Sequence, residues 1–162
     1  MSLRNFRDGT LKIQDGTSGT PNEITVLYAD GNLKFDVTEE VKQIFDRGSL
    51  AELKKGNDVP VTGSFSKKYD QIIARDTDAA PSVFEAVTGT GKAASWVSTS
   101  TFCGLYTCRL IFEIYDACKG ETEKITFEKC HFGKKSFEEA EEVNKQSYEF
   151  TDFEDMPTMV WL

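Results

Sequence analysis

"YTCRLIFEIYDACKGETEKITFEKCHF", Tyr106 to Phe132, is the stretch on which the reading of the fold turns. In its first half Cys108, Leu110, Phe112 and Ile114 fall on one side of an extended chain, and Arg109 and Glu113 on the other. A two-residue period of this kind marks a strand with one buried face. The second half sets Ile125 and Phe127 on one side, and Lys119-Gly120 supplies a turn between the halves. The two halves therefore read as an antiparallel hairpin. Matching the apolar faces places Ile114 opposite Ile125, Phe112 opposite Phe127, Cys108 opposite His131 and Cys130 opposite Arg109. A slip of one residue would pair the cysteines but turn Ile125 and Phe127 to the wrong face.

The same stretch holds the only histidine, His131, beside Cys130. Neighbouring side chains on a strand point to opposite faces, so the two cannot readily hold one ion. A cross-strand cysteine–histidine pair offers two ligands where zinc takes three or four. The expectation is an ordinary strand with no metal and no cofactor. The cysteines, Cys103, Cys108, Cys118 and Cys130, show no C-x-x-C spacing, and "MSLRNFRDGTLK" has no apolar leader. Reduced thiols are the expectation.

Strand patterning continues on both sides. "TLKIQD" alternates Leu11 and Ile13 with polar neighbours. "PNEITVLYADGNLKFDV" reads as a second hairpin, with Ile24, Val26 and Tyr28 before an Asp30-Gly31-Asn32 turn and Leu33, Phe35 and Val37 after it. "EEVKQIFDRG" fits either a strand or a short helix. In "SLAELKKGND", Ser49 and Glu52 fit a capping box and Gly56 a helix stop, which predicts about two helical turns carrying Leu50 and Leu53. Residues 38–58 thus read as a long excursion between strands, the kind of segment that is usually functional or mobile. "VPVTGSFSKKYDQIIA" resumes the strand pattern.

"DTDAAPSVFEAVTG" reads as the one convincing helix, near residues 80–88. Asp78 or Ser82 would cap it, Pro81 would stand in its first turn, and Val83, Phe84 and Val87 would share a face. "ASWVSTSTF" and "QSYEFTDF" read as strands. The tail "EDMPTMVWL" is apolar enough to dock on its own domain or to meet a partner. The whole chain, 1–162, reads as a single domain, with no repeat and no low-complexity linker.

Chemistry is harder to find. "AVTGTGKAA" invites a phosphate-loop reading, but Ala86 stands where the first glycine belongs, Ala93 replaces the hydroxyl, and the segment follows a helix rather than a strand. It reads as a plain loop. "SFEEAEEVNKQSYEF" carries Glu138, Glu139, Glu141 and Glu142. A helical reading gives it a weak stripe of Phe137, Ala140 and Val143 or Asn144, and a strand reading improves after Gln146. No nucleophile–base pair and no specific carboxylate pair emerges, so the chain is expected not to be an enzyme. The net charge of −8 disfavours a grip on nucleic acid, which needs clustered Lys and Arg, and no apolar run is long enough to span a bilayer.

Several of these pieces together resemble bacteriophage tail tube proteins, also called major tail proteins. "RNFRDGTLKIQDGTSGTPNEITVLYADGNLKFDV" is similar to their opening, in which a "DGTL-I-DG" strand precedes a first hairpin. "VPVTGSFSKKYDQII" resembles the strand that follows. The helix from about Ala80 and the pair "ITFEKCHF…SYEFTDF" fit the same order. The resemblance implies a mainly β fold, a β-sandwich or small barrel with one flanking α-helix and a long inter-strand loop at 38–58. It implies a structural virion protein whose copies form hexameric rings that stack into the tail tube, a conduit for DNA ejection. Tube proteins of contractile bacteriocins and type VI secretion share that design.

The expected partners are further copies of the chain, with sheath, tail terminator, baseplate and tape-measure proteins. DNA would pass through without specific binding, no membrane is involved, and assembly would take place in the host cytoplasm. The assembly interface would use Arg47, Leu50, Leu53, Lys54 and Lys55. Lumen-facing acids would come from Asp36, Glu39, Glu40, Glu113, Glu138 and Glu149. Two rival readings stand beside this one. One is a small-ligand-binding β-barrel lined by aromatics, of which the chain has twelve Phe. The other is a different virion part, such as a tail terminator or a head–tail adaptor.

Overall fold

The computed structural model describes residues 9–26, 32–56, 59–68, 80–116, 118–139, 141, 144–153 and 157–161. Among the described residues ten strands and one short α-helix follow in order: β1 (Gly9–Gln14), β2 (Glu23–Thr25), β3 (Lys34–Asp36), β4 (Val41–Asp46), β5 (Ser49–Lys55), β6 (Val61–Lys68), α1 (Val83–Thr88), β7 (Cys108–Asp116), β8 (Glu121–Glu138), β9 (Lys145–Asp152) and β10 (Thr158–Trp161). Eight strands make one sheet, in the order β2-β1-β7-β8-β9-β6-β3, with β10 added beside the first part of β8. Among the described residues β4 and β5 pair only with each other.

Every ladder is antiparallel, and one face of the sheet is buried. Leu11 and Ile13 of β1, Leu110, Phe112 and Ile114 of β7, Ile125 and Phe127 of β8, and Tyr148 and Phe150 of β9 all lie inside. The sheet curls strongly around this core. β3 is the third strand over from β8, which in a flat sheet would put it about 14 Å away. Yet the Phe35 ring of β3 meets the Phe127 ring of β8 with centroids 5.0 Å apart. The sheet nevertheless stays open. Among the described residues no ladder joins its two edge strands, β2 and β3, so a closed barrel is not formed.

This topology corrects the second predicted hairpin. β2 pairs with β1, and β3 with β6, rather than with each other. Alternation on both sides of an Asp-Gly dipeptide says that two strands exist, not that they are partners. Tyr28, Asp30 and Gly31 lie outside the described residues. Asn32 is described, and it is tied to β6. Its side-chain amide donates to Ser66 Oγ (2.6 Å), and its Oδ1 accepts from the Ser66 N–H (3.0 Å), a substitute for one rung of ladder on β6.

The β7–β8 register also differs from the predicted one. Phe112 stands opposite Ile125 and Leu110 opposite Phe127. A bulge then intervenes, and Cys108 faces Cys130. A bulge adds one residue to one strand and shifts the phase of its side chains. The inward set on β8 accordingly moves from Ile125 and Phe127 to Cys130 and Phe132. Cys130 is therefore buried rather than opposite Arg109, and His131 turns outward. A second irregularity between His131 and Lys134 re-phases β8 against β9.

The helix forms where predicted. Ser82 is its N-cap, its Oγ accepting from the Glu85 N–H (3.3 Å), and Gly89 closes it at φ 65°, a left-handed position suited to glycine. Asp78 lies outside the described residues, and Pro81 precedes the cap. The buried face is Val83, Ala86 and Val87, whereas Phe84 points outward. The predicted strand "ASWVSTSTF" is instead irregular chain that follows a 3₁₀ turn (Gly91–Ala93). Specific bonds hold it to the sheet: the Gly16 N–H donates to the Val97 carbonyl (2.7 Å), and the Thr99 N–H to the Thr107 carbonyl (3.0 Å). Gly16 has to be glycine here, since a Cβ would come within 2.5 Å of the Ser98 carbonyl oxygen. Of "VPVTGSFSKKYDQIIA", β6 accounts for the stretch to Lys68, and residues 69–74 lie outside the described set.

Candidate assembly surface

Residues 38–58 hold a β-ribbon where a helix was predicted. β4 and β5 meet through the turn Asp46-Arg47-Gly48-Ser49, with φ 49° at Arg47 and 85° at Gly48. Two consecutive positive φ values are those of a type I′ hairpin turn, whose twist matches the flanking strands. A bulge explains the misreading. Phe45 faces Leu50, but Ile44 faces Glu52 and Gln43 faces Leu53. The extra residue puts Leu50 and Leu53, three apart, on one face of a strand, a spacing that otherwise signals a helix. Val41, Phe45, Leu50 and Leu53 together form an apolar face, with Ile44 on the reverse.

That face is open to solvent. Val41 is 56% exposed, Phe45 58%, Leu50 53% and Leu53 58%. Lys54 reaches Glu52 on the reverse face (3.9 Å), and Arg47 occupies the tip. The structure thus brings the predicted interface residues Arg47, Leu50, Leu53, Lys54 and Lys55 into one ribbon. Val41 and Phe45 were missed as members of the same face. The Val41–Gln43–Phe45 alternation ahead of Arg47-Gly48 is the signal that would have found them.

The predicted lumen acids divide. Asp36, Glu113, Glu138 and Glu149 share the outward face of the large sheet by their register, and Glu113 and Glu149 are flanked on both sides by buried residues. Glu39 and Glu40 lie instead in the connection to the ribbon, where the Glu40 carbonyl accepts from the Gly56 N–H (2.6 Å). The outward face is mixed in charge rather than acidic. Lys12 lies 3.4 Å from Glu113 and 3.7 Å from Glu23, and Lys134 lies 3.9 Å from Glu149. Arg109 Nε donates to Glu128 (2.6 Å) and its Nη1 to Gln14 (3.1 Å), while Gln14 also bonds Glu23. Exposed pairs of this kind contribute little to stability but cancel the local field. A shallow groove of about 370 Å³ crosses this face between Lys34, Asp36, Thr62, Ser64, Lys134 and Glu149.

The stretch "CHF" is accounted for by the sheet. His131 Nδ1 lies 3.0 Å from the Tyr106 carbonyl. Cys108 and Cys130 are buried thiols, and burial pushes Cys108 up to about 12 and Cys130 well above the usual range. Thiols so protonated are poor nucleophiles and poor ligands. Cys103 and Cys118 are exposed. Among the described residues no three His, Cys, Asp or Glu side chains gather as a metal would require, and no helix is long and apolar enough to cross a membrane.

Asp15 is buried at the end of β1 and anchors the chain near Val97. It accepts from the Thr17 hydroxyl (2.6 Å), the Asn22 N–H (2.8 Å), the Asn22 amide (2.7 Å) and, more weakly, the Val97 N–H (3.3 Å). Burial alone would raise its pKa, but the bonds from Thr17 and Asn22 outweigh it and hold the carboxyl below its ordinary value. The "DG" that closes "DGTLKIQDG" is thus a structural clamp. Of the tail, β10 pairs with Glu123–Thr126 of β8, while Met159, Val160 and Trp161 stay exposed; residues 154–156 and 162 lie outside the described set.

A curled open sheet, one flanking helix and a projecting ribbon define a fold found in chains of contractile injection systems. One such chain, in the cryo-EM structure of the sheath/tube terminator of the extracellular contractile injection system PVC in its extended state, matches at a TM-score of 0.64 and 5% identity, over 100% of this chain and 98% of that one. A chain of the anti-feeding prophage tube-terminating cap matches at 0.61 and 9%, over 99% and 91%. A chain of the PVC sheath–tube complex, also extended, matches at 0.56 and 6%, over 95% and 87%. At such identities the likeness is one of fold. No protein-family model and no curated protein sequence matches the chain.

Proposed function

We propose that this chain is a non-catalytic structural component of a contractile-type tail, a ring-forming subunit of its tube, with six copies to a ring and rings stacked around a DNA conduit. The observation that carries the reading is the β4–β5 ribbon. A two-stranded ribbon is marginal in water, and this one presents four large apolar side chains to solvent. Such a face is a liability in a free monomer and a contact in an assembly. The fold's recurrence in tube-terminating and sheath–tube structures supports the same reading. The mixed outward face of the sheet suits a channel wall that gives phosphate no cluster of cations to hold. Its paired carboxylates repel DNA less than an unpaired acidic lining would.

A second reading has a specific observation in its favour: the two higher of these three TM-scores belong to terminator or cap structures. A terminator would form one ring and stop. Negative-stain microscopy of the concentrated protein separates the cases. Open-ended tubes support the tube subunit, single six-fold rings support the terminator, and featureless monomers overturn both. Leu50→Asp with Leu53→Asp should abolish rings and tubes alike while leaving the monomer folded.

A further inference from the structure

The ribbon needs a receiving surface, and the chain carries one at the far end of the same strands. The ribbon leaves the sheet after Asp36 and returns at Val61, where β6 begins. At the other end of β6, Lys68 pairs with Lys145, which in turn faces Glu138. Seven residues of strand separate the two ends, about 23 Å. At that far end Phe137, 55% exposed, leans on Phe84 of α1 with ring centroids 5.6 Å apart. A hollow of about 240 Å³ opens beside Phe137 between Glu138, Glu139, Asn144 and Lys145. Glu138 and Glu139 line it, and Glu141, two residues further on, is exposed.

The ribbon end is basic, and at the far end Glu138, Glu139 and Glu141 outnumber Lys68 and Lys145. Residues 41–55 hold four cations (Lys42, Arg47, Lys54, Lys55) and two acids (Asp46, Glu52), a net of +2 in a chain of net −8, so the rest of the chain carries −10. We infer that the Phe84–Phe137 surface with its glutamate rim receives the β4–β5 ribbon of a second copy of this chain. The inference rests on the assembly reading above and deepens it by naming the other half of the contact. Since donor and acceptor lie at opposite ends of the subunit, the contact is head-to-tail. A head-to-tail contact closes into a ring when the rotation allows and otherwise grows as a filament.

Two charge-reversed chains test this. The ribbon variant is Lys42→Glu with Lys55→Glu, and the acceptor variant is Glu139→Lys with Glu141→Lys. All four side chains are exposed, so both variants should fold, which circular dichroism checks. Each alone should need roughly tenfold or more protein to assemble, because like charges then meet at every contact. An equimolar mixture should recover assembly by sedimentation velocity, with the two chains alternating. If the acceptor variant assembles like the unaltered chain while the ribbon variant does not, the acceptor surface is wrong and the assembly reading stands. If both fail alone and the mixture stays monomeric, the two surfaces do not meet each other, and the inference falls. If the ribbon variant assembles normally, the ribbon charges take no part in the contact, and the inference falls while assembly itself stands.

Discussion

The chain contains two kinds of β-structure built from similar residues. In the large sheet the aromatic and branched side chains turn to one face and bury each other: Ile13, Leu110 and Phe127 are all fully buried. In the β4–β5 ribbon Val41, Phe45, Leu50 and Leu53 are just as apolar, and every one is more than half exposed. The ladders are equally regular. What differs is whether an apolar face has a partner within the chain. The sheet buries its apolar face within the fold, while the apolar face of the ribbon stays open among the described residues.

The widest separation between these regions should appear in side-chain truncation. Phe127 packs against Phe35 (5.0 Å) and Phe150 (5.4 Å) at the centre of the sheet. Phe127→Ala should cost the free monomer about 3–5 kcal/mol, the usual range for emptying a buried aromatic site. Phe45→Ala removes the same group from the ribbon and should stay within about 0.5 kcal/mol, since nothing closes over it. Urea denaturation of the two variants measures the contrast. Equal losses would mean that the ribbon packs on its own domain, and the division drawn above would be wrong.

A smaller effect concerns how the sheet is tied to the irregular chain that follows the helix. Asp15→Ala leaves the N–H groups of Asn22 and Val97 without their acceptor and should cost about 2–3 kcal/mol. The pH dependence has a definite sign. The Asp15 carboxyl is held below its ordinary value of 3.8, so its contribution is fully present above about that pH and is lost as the pH falls through the lowered folded value. The difference between the unaltered chain and the variant, measured by denaturation from pH 7 to pH 2, should therefore shrink only at the acid end. A difference that stayed constant throughout would assign Asp15 a role independent of its charge.

These contrasts also explain what could be read from the sequence. β1, β7 and α1 were legible because their periods run unbroken from end to end, even though Ile111 on the outer face of β7 is buried as well. β8 was legible as a strand but not in register: two irregularities re-phase it, and alternation read straight across them puts Cys130 outside. The ribbon failed for the same reason, its bulge giving Leu50 and Leu53 a helical spacing. The segment from Ala94 to Thr107 could not be read at all, since its form depends on bonds to residues far away in the chain, such as Gly16 to Val97. Leu50 and Leu53 were recognised as apolar groups without an internal task. The receiving surface was not, because Phe84 and Phe137 lie over fifty residues apart and meet only through the packing of α1 beside β8.

β10 stands between the two regions and offers the finest test. Its backbone belongs to the large sheet, paired with β8 from Trp161 opposite Glu123 to Thr158 opposite Thr126. Its side chains behave like those of the ribbon, and Trp161 is 73% exposed. If stability follows burial rather than membership of a ladder, Trp161→Ala should change the free monomer by less than about 0.5 kcal/mol. The other tryptophan, Trp96, packs partly against the core and reports the contrast within one sample. Acrylamide should quench a readily accessible part of the fluorescence, and Trp161→Phe should remove that part while leaving the denaturation midpoint in place. A quenching profile unchanged by Trp161→Phe would mean that the tail is covered in the free chain. A large loss of stability in Trp161→Ala would mean that β10 is held by its side chains, and the ladder alone would no longer account for its docking.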